Sequence, residues 1–301
     1  MIVTKLGAID IGSNSVRCLI VNVIFKDGYT YYKKVSMIRL PVRLGQDVFK
    51  YGKIRSITRE RFLEGMKAYD HLLSVHGVQD FRAVATSAMR EASNSEYLVQ
   101  RVSRKTGIEI EIIDGKEEAR LVFSSKLYDS INAHVSNFVY IDVGGGSTEI
   151  SIIKDRKVLQ SKSFKIGGVR LMNEMVDHAE WNEMQSWLEN HAGSITKNAA
   201  IGAGGNINKL HKLSLRPVTE PLSYEYVQKQ YVVIQSLDVE RRITEIGLNF
   251  DRADVITFAL EIYLKAMKWS GCPEIYVPKI GVSDGLIRDL YHREYRSKVE
   301  Q

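Results

Sequence analysis

The sequence predicts an α/β protein made of two related domains, and three observations predict it. Apolar periodicity spells the order β-β-β-α-β-α twice along the chain. Each copy opens on the same phrase, a strand ending in aspartate, a glycine-serine turn and a second strand: "AIDIGSNSVRCLI" from Ala8 to Ile20 and "YIDVGGGSTEISI" from Tyr140 to Ile152. The length, 301 residues, exceeds most single cores and suits two domains of ordinary size.

In the first copy "LGAIDIG", "VRCLIVNVIF" and "YTYYKKVSMIRL" are β-rich runs joined by "SNS" and "KDG". "ITRERFLEGMKAYDHLLSVHG" has apolar residues at helical spacing and stops at Gly77. "FRAVATS" reads as a strand, and "SNSEYLVQRVSRKTG" as a helix punctuated by capping residues and a glycine. "IEIEIID" alternates as a strand with one wet face, and "GKEEARLVFSSKLY" follows as a helix. The second copy repeats the plan with strands "NFVYIDVG", "STEISIIKD" and "KVLQSKSFKIG", then helices in "GGVRLMNEMV" and around Trp181–His191. "AAIGAGG" is a strand running into a glycine turn. Helices follow, the longest being "RADVITFALEIYLKAMKWSG", then a late strand "EIYVPKIG" and a last helix "DGLIRDLYHREY". The seam falls near Leu121–Asn137, which gives domains 1–124 and 125–301, with the last helix a candidate to pack back on the first domain.

Hydrophobic residues at 44% and charged residues at 26% exclude a largely disordered chain. No apolar run approaches the roughly 20 residues that span a bilayer, and "MIVTKLGAID" lacks the basic-then-apolar form of a signal peptide. No membrane partner is expected. Cys18 and Cys272 sit in apolar contexts without metal-like spacing and read as buried thiols of a cytoplasmic protein. The net charge of +6 is modest and nowhere concentrated into a basic arm. Nucleic acid is therefore not expected as the main partner, whereas a locally basic phosphate site is.

The doubled phrase carries the chemistry. Glycine lets the backbone approach a ligand closely, and successive N–H groups in such a turn form a nest for phosphate oxygens. Ser13, Asn14 and Ser15 in the first turn are candidate phosphate ligands, as are Gly144, Gly145, Gly146, Ser147 and Thr148 in the second. An acid at the end of an incoming strand, Asp10 or Asp142, can bind Mg²⁺ or orient water. Glu149 joins them as a third metal-side acid. Two such turns facing each other across a cleft would grip one phosphoryl group from both sides.

The pair "AIDIGSNS" and "YIDVGGGSTE" resembles the two phosphate motifs of the actin-like ATPase and sugar-kinase superfamily. Within it the chain is similar to the exopolyphosphatase and guanosine pentaphosphate phosphohydrolase family, in its short two-domain form. "RLPVRLGQDV", "VATSAMREASN", "IIDGKEEARLVF", "FKIGGVRLMNEM" and "RADVI" match further family segments in order. The resemblance implies two ribonuclease H-like domains of the actin-like ATPase fold with an interdomain cleft. It also implies release of terminal phosphate from polyphosphate or guanosine pentaphosphate, with Mg²⁺ or another divalent cation. It selects Glu118 over Glu117 as the general base, since consecutive helical carboxylates diverge by about 100° and only one can face a site. It also supports Arg90, just past a strand end, as a guanidinium that forks onto phosphate. Arg17 and Arg43 are candidates for distal phosphates.

One departure is "GVSDGLI", with Ser283 and Asp284 where the family has arginine and glutamate. It reads as lying on the second-domain side and bearing on substrate identity. Two other readings stay open: a sensor that binds polyphosphate or alarmone without turnover, and a nucleotide-dependent kinase of the superfamily. A homodimer is open as well. Because longer family members continue into further helical domains, the short form implies distributive rather than processive cleavage of long polymers.

Overall fold

A computed structural model describes residues 1–124, 131, 137–155, 157–192 and 198–299. The chain divides into two compact units, one of Met1–Ser125 with Gly281–Gln301 and the other of Lys126–Ile280. Part of the predicted seam, and the end of the helix predicted through "SSKLY", lie outside the described residues.

The first unit is built on strands β1 (Ile2–Ile11), β2 (Val16–Lys26), β3 (Tyr29–Leu40), β4 (Asp80–Ala85) and β5 (Ile110–Ile112). They form one sheet in the order β3-β2-β1-β4-β5. β1 pairs antiparallel with β2 and parallel with β4. Its central place explains why Leu6, Ala8, Ile9 and Ile11 are all buried, a near-continuous apolar run rather than an alternating one. Helix α2 (Ser56–Val75) buries Phe62, Leu63, Met66, Tyr69 and Leu73, one stripe at helical spacing. Two helices escape the sequence reading, α1 (Leu44–Tyr51) and the five-residue α3 (Ser87–Glu91). α1 has no side-chain cap, and Arg43 before it adopts φ 60, so it carries none of the usual start signals. α4 (Ser95–Thr106) and α5 (Gly115–Ser124) complete the outgoing part of this unit.

The second unit uses β6 (Asn137–Val143), β7 (Thr148–Lys154), β8 (Lys157–Phe164), β9 (Asn198–Ala203), β10 (Leu222–Ser223) and β11 (Glu274–Tyr276), in the order β10-β11-β9-β6-β7-β8. Strands β8-β7-β6-β9-β11 repeat the order, and the mix of parallel and antiparallel pairs, of β3-β2-β1-β4-β5. The repetition extends to irregularities. Register slips between Ile20 and Val21 in β2 and between Ile152 and Ile153 in β7, each three residues beyond the strand position opposite the motif aspartate. Around this sheet lie α6 (Gly168–Met172), α7 (His178–Ala192), α8 (Gly205–Leu213), α9 (Tyr224–Ser236), α10 (Val239–Thr244), α11 (Phe250–Ala253) and α12 (Ile256–Trp269).

"RADVITFALEIYLKAMKWSG" is not one helix. Val255 N–H donates to the Arg252 carbonyl at 3.1 Å, a three-residue closure that ends α11 before Ala259 N–H returns to Val255 and α12 begins. The strand in "EIYVPKIG" stops at Tyr276, because Pro278 has no N–H to extend the ladder.

Helix α13 (Val282–Glu294), followed by the short α14 (Arg296–Val299), belongs to the first unit, so the reading of "GVSDGLI" as a second-domain feature is corrected. Asp284 accepts from Gly281 N–H at 3.2 Å, capping α13, and pairs with Lys34 at 2.6 Å. Ser283 is buried in the helix. Asp289 is buried among Arg82 (2.5 Å), Arg120 (3.1 Å) and Arg293 (3.1 Å), which ties α13 to β4 and α5. At Gly285 the backbones of α13 and α5 meet so closely that a Cβ would stand 1.9 Å from the Leu121 carbonyl oxygen. Gly285→Ala is expected to cost about 3 kcal/mol, the upper range of overpacking. A urea titration checks it, as a lower unfolding midpoint in the first unit.

Candidate active site

Both turns have one construction. Asp10 stands opposite Arg17 and Ile11 opposite Val16; Asp142 stands opposite Glu149 and Val143 opposite Thr148. Four residues bridge each pair, closed by Gly12 N–H to Ser15 O at 3.1 Å and by Gly144 N–H to Ser147 O at 2.9 Å. The outward carbonyls are then claimed by the chain itself. Ser13 O accepts from Gly45 N–H at 2.8 Å and Asn14 O from Arg43 N–H at 3.0 Å, which pins the start of α1 to the first turn. Gly144 O accepts from Gly168 N–H, Gly145 O from Val169 and Arg170 N–H, and Gly146 O from the Arg170 Nε at 2.9 Å. Gly167 makes this approach feasible, since a Cβ there would stand 2.5 Å from the Gly145 and Gly146 backbone. With the carbonyls occupied, the N–H groups are what the turns present. Among the described residues those of Ser13, Gly145 and Gly146 donate to no acceptor, the electrostatic arrangement of an anion nest.

The side chains around the two turns differ. Asp10 is buried with the Arg17 Nη1 at 3.5 Å. Burial raises its carboxyl pKa above the ordinary value, against the opposing pull of Arg17. Ser15 Oγ accepts from the Arg39 Nε at 3.1 Å. In the second unit Asp142 Oδ2 accepts from the Tyr140 hydroxyl at 3.0 Å. Glu149 Oε1 accepts from Ser147 at 2.7 Å and Ser163 at 2.9 Å, and the residue is buried. Thr148 is wholly buried, and its hydroxyl donates to the Ile166 carbonyl at 2.5 Å, so its proton braces the turn. Gly204 follows β9 at φ 114, and a Cβ there would lie 2.9 Å from the Val143 carbonyl and 3.4 Å from Asp142 Oδ1. Only a glycine accommodates that backbone and that approach.

Arg90 and Glu118 come together within the first unit. α3 starts after Thr86, whose N–H donates to Ile11 O at 3.1 Å at the end of β1, and it carries Arg90 outward. Arg90 Nη1 donates to the Ile113 carbonyl at 2.6 Å and stands 3.8 Å from Glu118 Oε2. Glu118 lies in the first turn of α5, which Asp114 caps by accepting from Glu117 N–H at 2.8 Å. The adjacent carboxylates diverge as helical geometry requires. Glu117 is held by Arg120 at 2.6 Å, and that hydrogen bond lowers its pKa; Glu118 turns to Arg90, its side chain 12% exposed.

The candidate residues are thus divided. Asp10, Ser13, Asn14, Ser15, Arg17, Arg43, Arg90 and Glu118 lie in the first unit, and Asp142, Gly144, Gly145, Gly146, Ser147, Thr148 and Glu149 in the second. Among the described residues no three His, Cys, Asp or Glu gather into a metal cage. Sequence reading did not single out Arg39, Tyr140, Ser163, Gly167 or Arg170. Strand register is the signal that would have found Arg39 and Ser163, opposite Arg17 and Glu149 on the third strand of each hairpin series.

The fold and the paired turns define a two-domain protein of the actin-like ATPase fold. The chain belongs to the Ppx/GppA phosphatase family, which matches residues 23–294. It is 30% identical over 172 residues to Exopolyphosphatase 1 of Mycobacterium tuberculosis, covering 56% of this chain and 48% of that protein. It is 24% identical over 303 residues to a guanosine-5'-triphosphate,3'-diphosphate pyrophosphatase of Vibrio parahaemolyticus, covering 94% of this chain and 59% of the other. The chain therefore spans about half the length of these curated relatives. The crystal structure of the Aquifex aeolicus member of the Ppx/GppA family superimposes with a TM-score of 0.76 at 26% identity, covering 98% of this chain and all of that one.

The buried Asp10 gives a test of the electrostatics. A carboxyl whose folded pKa is raised stabilises the fold below its unfolded pKa, and that contribution is lost as pH rises through the folded value. At neutral pH Asp10 is a net cost to the fold. Asp10→Asn is expected to melt no lower than the parent at neutral pH, with the difference closing below the ordinary aspartate pKa. Thermal melts across that pH range check it.

Proposed function

We propose that this protein is a phosphohydrolase that releases terminal phosphate from inorganic polyphosphate or guanosine pentaphosphate by in-line attack of water. The observation that carries the reading is the Arg90–Glu118 pair at 3.8 Å, with both side chains largely screened from solvent. Glu118 accepts the proton of the attacking water. Arg90, anchored by the Ile113 carbonyl, keeps that carboxylate ionised and offers its remaining N–H groups to the phosphoryl oxygens. The N–H groups and hydroxyls of the turns receive the other phosphate oxygens.

A divalent cation fits the second unit better than the first. Asp142 and Glu149 are register partners on one face, and Mg²⁺ is commonly held by one or two carboxylates and completed by phosphate and water. Asp10 has an arginine at the equivalent position, which already supplies the positive charge. Asp142 and Glu149 would hold the ion, with Tyr140, Ser147 and Ser163 orienting their oxygens. When bound, such an ion would offset negative charge on the phosphate oxygens.

Phosphate release measured side by side on polyphosphate, guanosine pentaphosphate and ATP, without an acceptor, tests the reading. Turnover on either of the first two supports it. Binding without turnover would establish a sensor, and turnover only with an acceptor a kinase. Glu118→Gln is expected to lower kcat by about 10²–10⁴ with KM nearly unchanged. Gly167→Ala, by pushing the second turn out of place, is expected to cost about 10²-fold in turnover in a protein that still folds. Circular dichroism alongside the assay separates that outcome from misfolding.

A further inference from the structure

The two hairpin series place three residues in matched rows. In the first unit Asp10 on β1 is opposite Arg17 on β2, which is opposite Arg39 on β3. In the second unit the row is Asp142 on β6, Glu149 on β7 and Ser163 on β8. Opposed residues of antiparallel strands project from the same face, so each row is a short track across three strands. The geometry is duplicated and the charge is not. One row carries an acid and two guanidiniums, the other two acids and a hydroxyl.

Two features of the first row need an explanation. Like charges directly opposite on neighbouring strands destabilise a sheet, yet Arg17 and Arg39 are paired in this way, and one carboxylate cannot neutralise both. The second feature is the hydroxyl of Ser15. Arg39 Nε–H donates to Ser15 Oγ at 3.1 Å, so Ser15 is an acceptor toward Arg39 and its own proton must point elsewhere. In the second turn Ser147, at the matching position, spends its proton on Glu149. Of the two turn serines, the first is therefore set as a donor to a ligand and the second as an aligner of a carboxylate.

We propose that Arg39 is a substrate-positioning residue: it fixes the Ser15 hydroxyl as a donor to phosphate and, beside Arg17, forms a two-guanidinium track for the anionic groups that follow the terminal phosphate. The proposal rests on the phosphohydrolase reading for its substrate class. It goes beyond that reading by naming a side chain outside the turns and by giving the chain of phosphates a direction, from the first turn toward the β3 edge of the sheet. A polyanion on this track relieves the repulsion between Arg17 and Arg39 as it binds.

The test compares Arg39→Met, Arg39→Lys, Ser15→Ala and the Arg39→Met/Ser15→Ala double variant, each checked by thermal melting. Two readouts serve: steady-state phosphate release from polyphosphate, and calorimetric binding of polyphosphate to the same variants in the Glu118→Gln background. Arg39→Met is expected to raise KM and the dissociation constant by about 10–100-fold, the scale of one charge-assisted hydrogen bond. Its kcat should stay within about 3-fold. The slope of log affinity against log salt should fall by about one contact. Arg39→Lys should restore the salt slope while leaving much of the KM defect, since a lysine lacks the planar fork that reaches both Ser15 and an oxyanion. The double variant should be little worse than Arg39→Met, because Ser15 acts through Arg39. Unchanged KM and salt slope in a folded Arg39→Met, or full additivity in the double variant, would overturn the proposal. If the parent protein releases no phosphate yet binds polyphosphate in an Arg39-dependent way, the hydrolase reading fails and the positioning role stands.

Discussion

The site depends on strand register. A hairpin closed by four residues has one way to place its acid, with residue 10 opposite 17 and residue 142 opposite 149. A slip of one residue would turn every side chain of the incoming strand to the other face and carry Asp10 or Asp142 away from its turn. Register is secured from both sides of the central strands. β1 lies between β2 and β4, β6 lies between β7 and β9, and the apolar residues of both central strands are buried. The turn carbonyls then engage α1 or α6, so the N–H groups face outward without competition from the chain's own acceptors.

A second constraint orients the acid–base pair. α5 begins with two adjacent glutamates, and the network below it decides between them. Asp289 of α13 gathers Arg82, Arg120 and Arg293, and Arg120 also holds Glu117. Breaking a buried ion pair by removing one partner costs about 3–5 kcal/mol, so this network is stiff. With Glu117 committed to it, the helix is rotationally fixed and Glu118 is left beside Arg90. The residues that replace the family's expected pair in "GVSDGLI" serve the same helix. Asp284 caps it and Ser283 is packed within it, which accounts for both on structural grounds.

Much of this was legible in the sequence because it is local. The doubled aspartate-glycine-serine phrase, the divergence of Glu117 and Glu118 and the glycine-punctuated helices follow from spacing over a few residues. What was not legible depends on long-range register or close approach. Arg39 is 24 residues from Ser15 in sequence, and only the pairing of β2 with β3 brings them within 3.1 Å. Gly167 matters because another segment's backbone passes 2.5 Å from its absent Cβ, which no propensity reports. α1 was missed because it begins at a left-handed arginine with no capping side chain. Thr148, which reads as a phosphate ligand by its neighbours, has its proton drawn inward by Ile166, a residue 18 positions away.

The assignment of α13 to the first unit has a consequence for synthesis. The chain leaves the first unit at Ser125, builds the whole of the second, and returns at Gly281. On a ribosome adding about 5–20 residues per second, the first unit waits roughly ten to thirty seconds for its last helix while the second emerges. During that interval the surfaces of β1, β2, β4 and α5 that α13 covers stay uncovered, and Arg82 and Arg120 lack Asp289. The inserted unit is thus free to fold first, and the nascent chain carries an open apolar flank that only its own final segment is shaped to close.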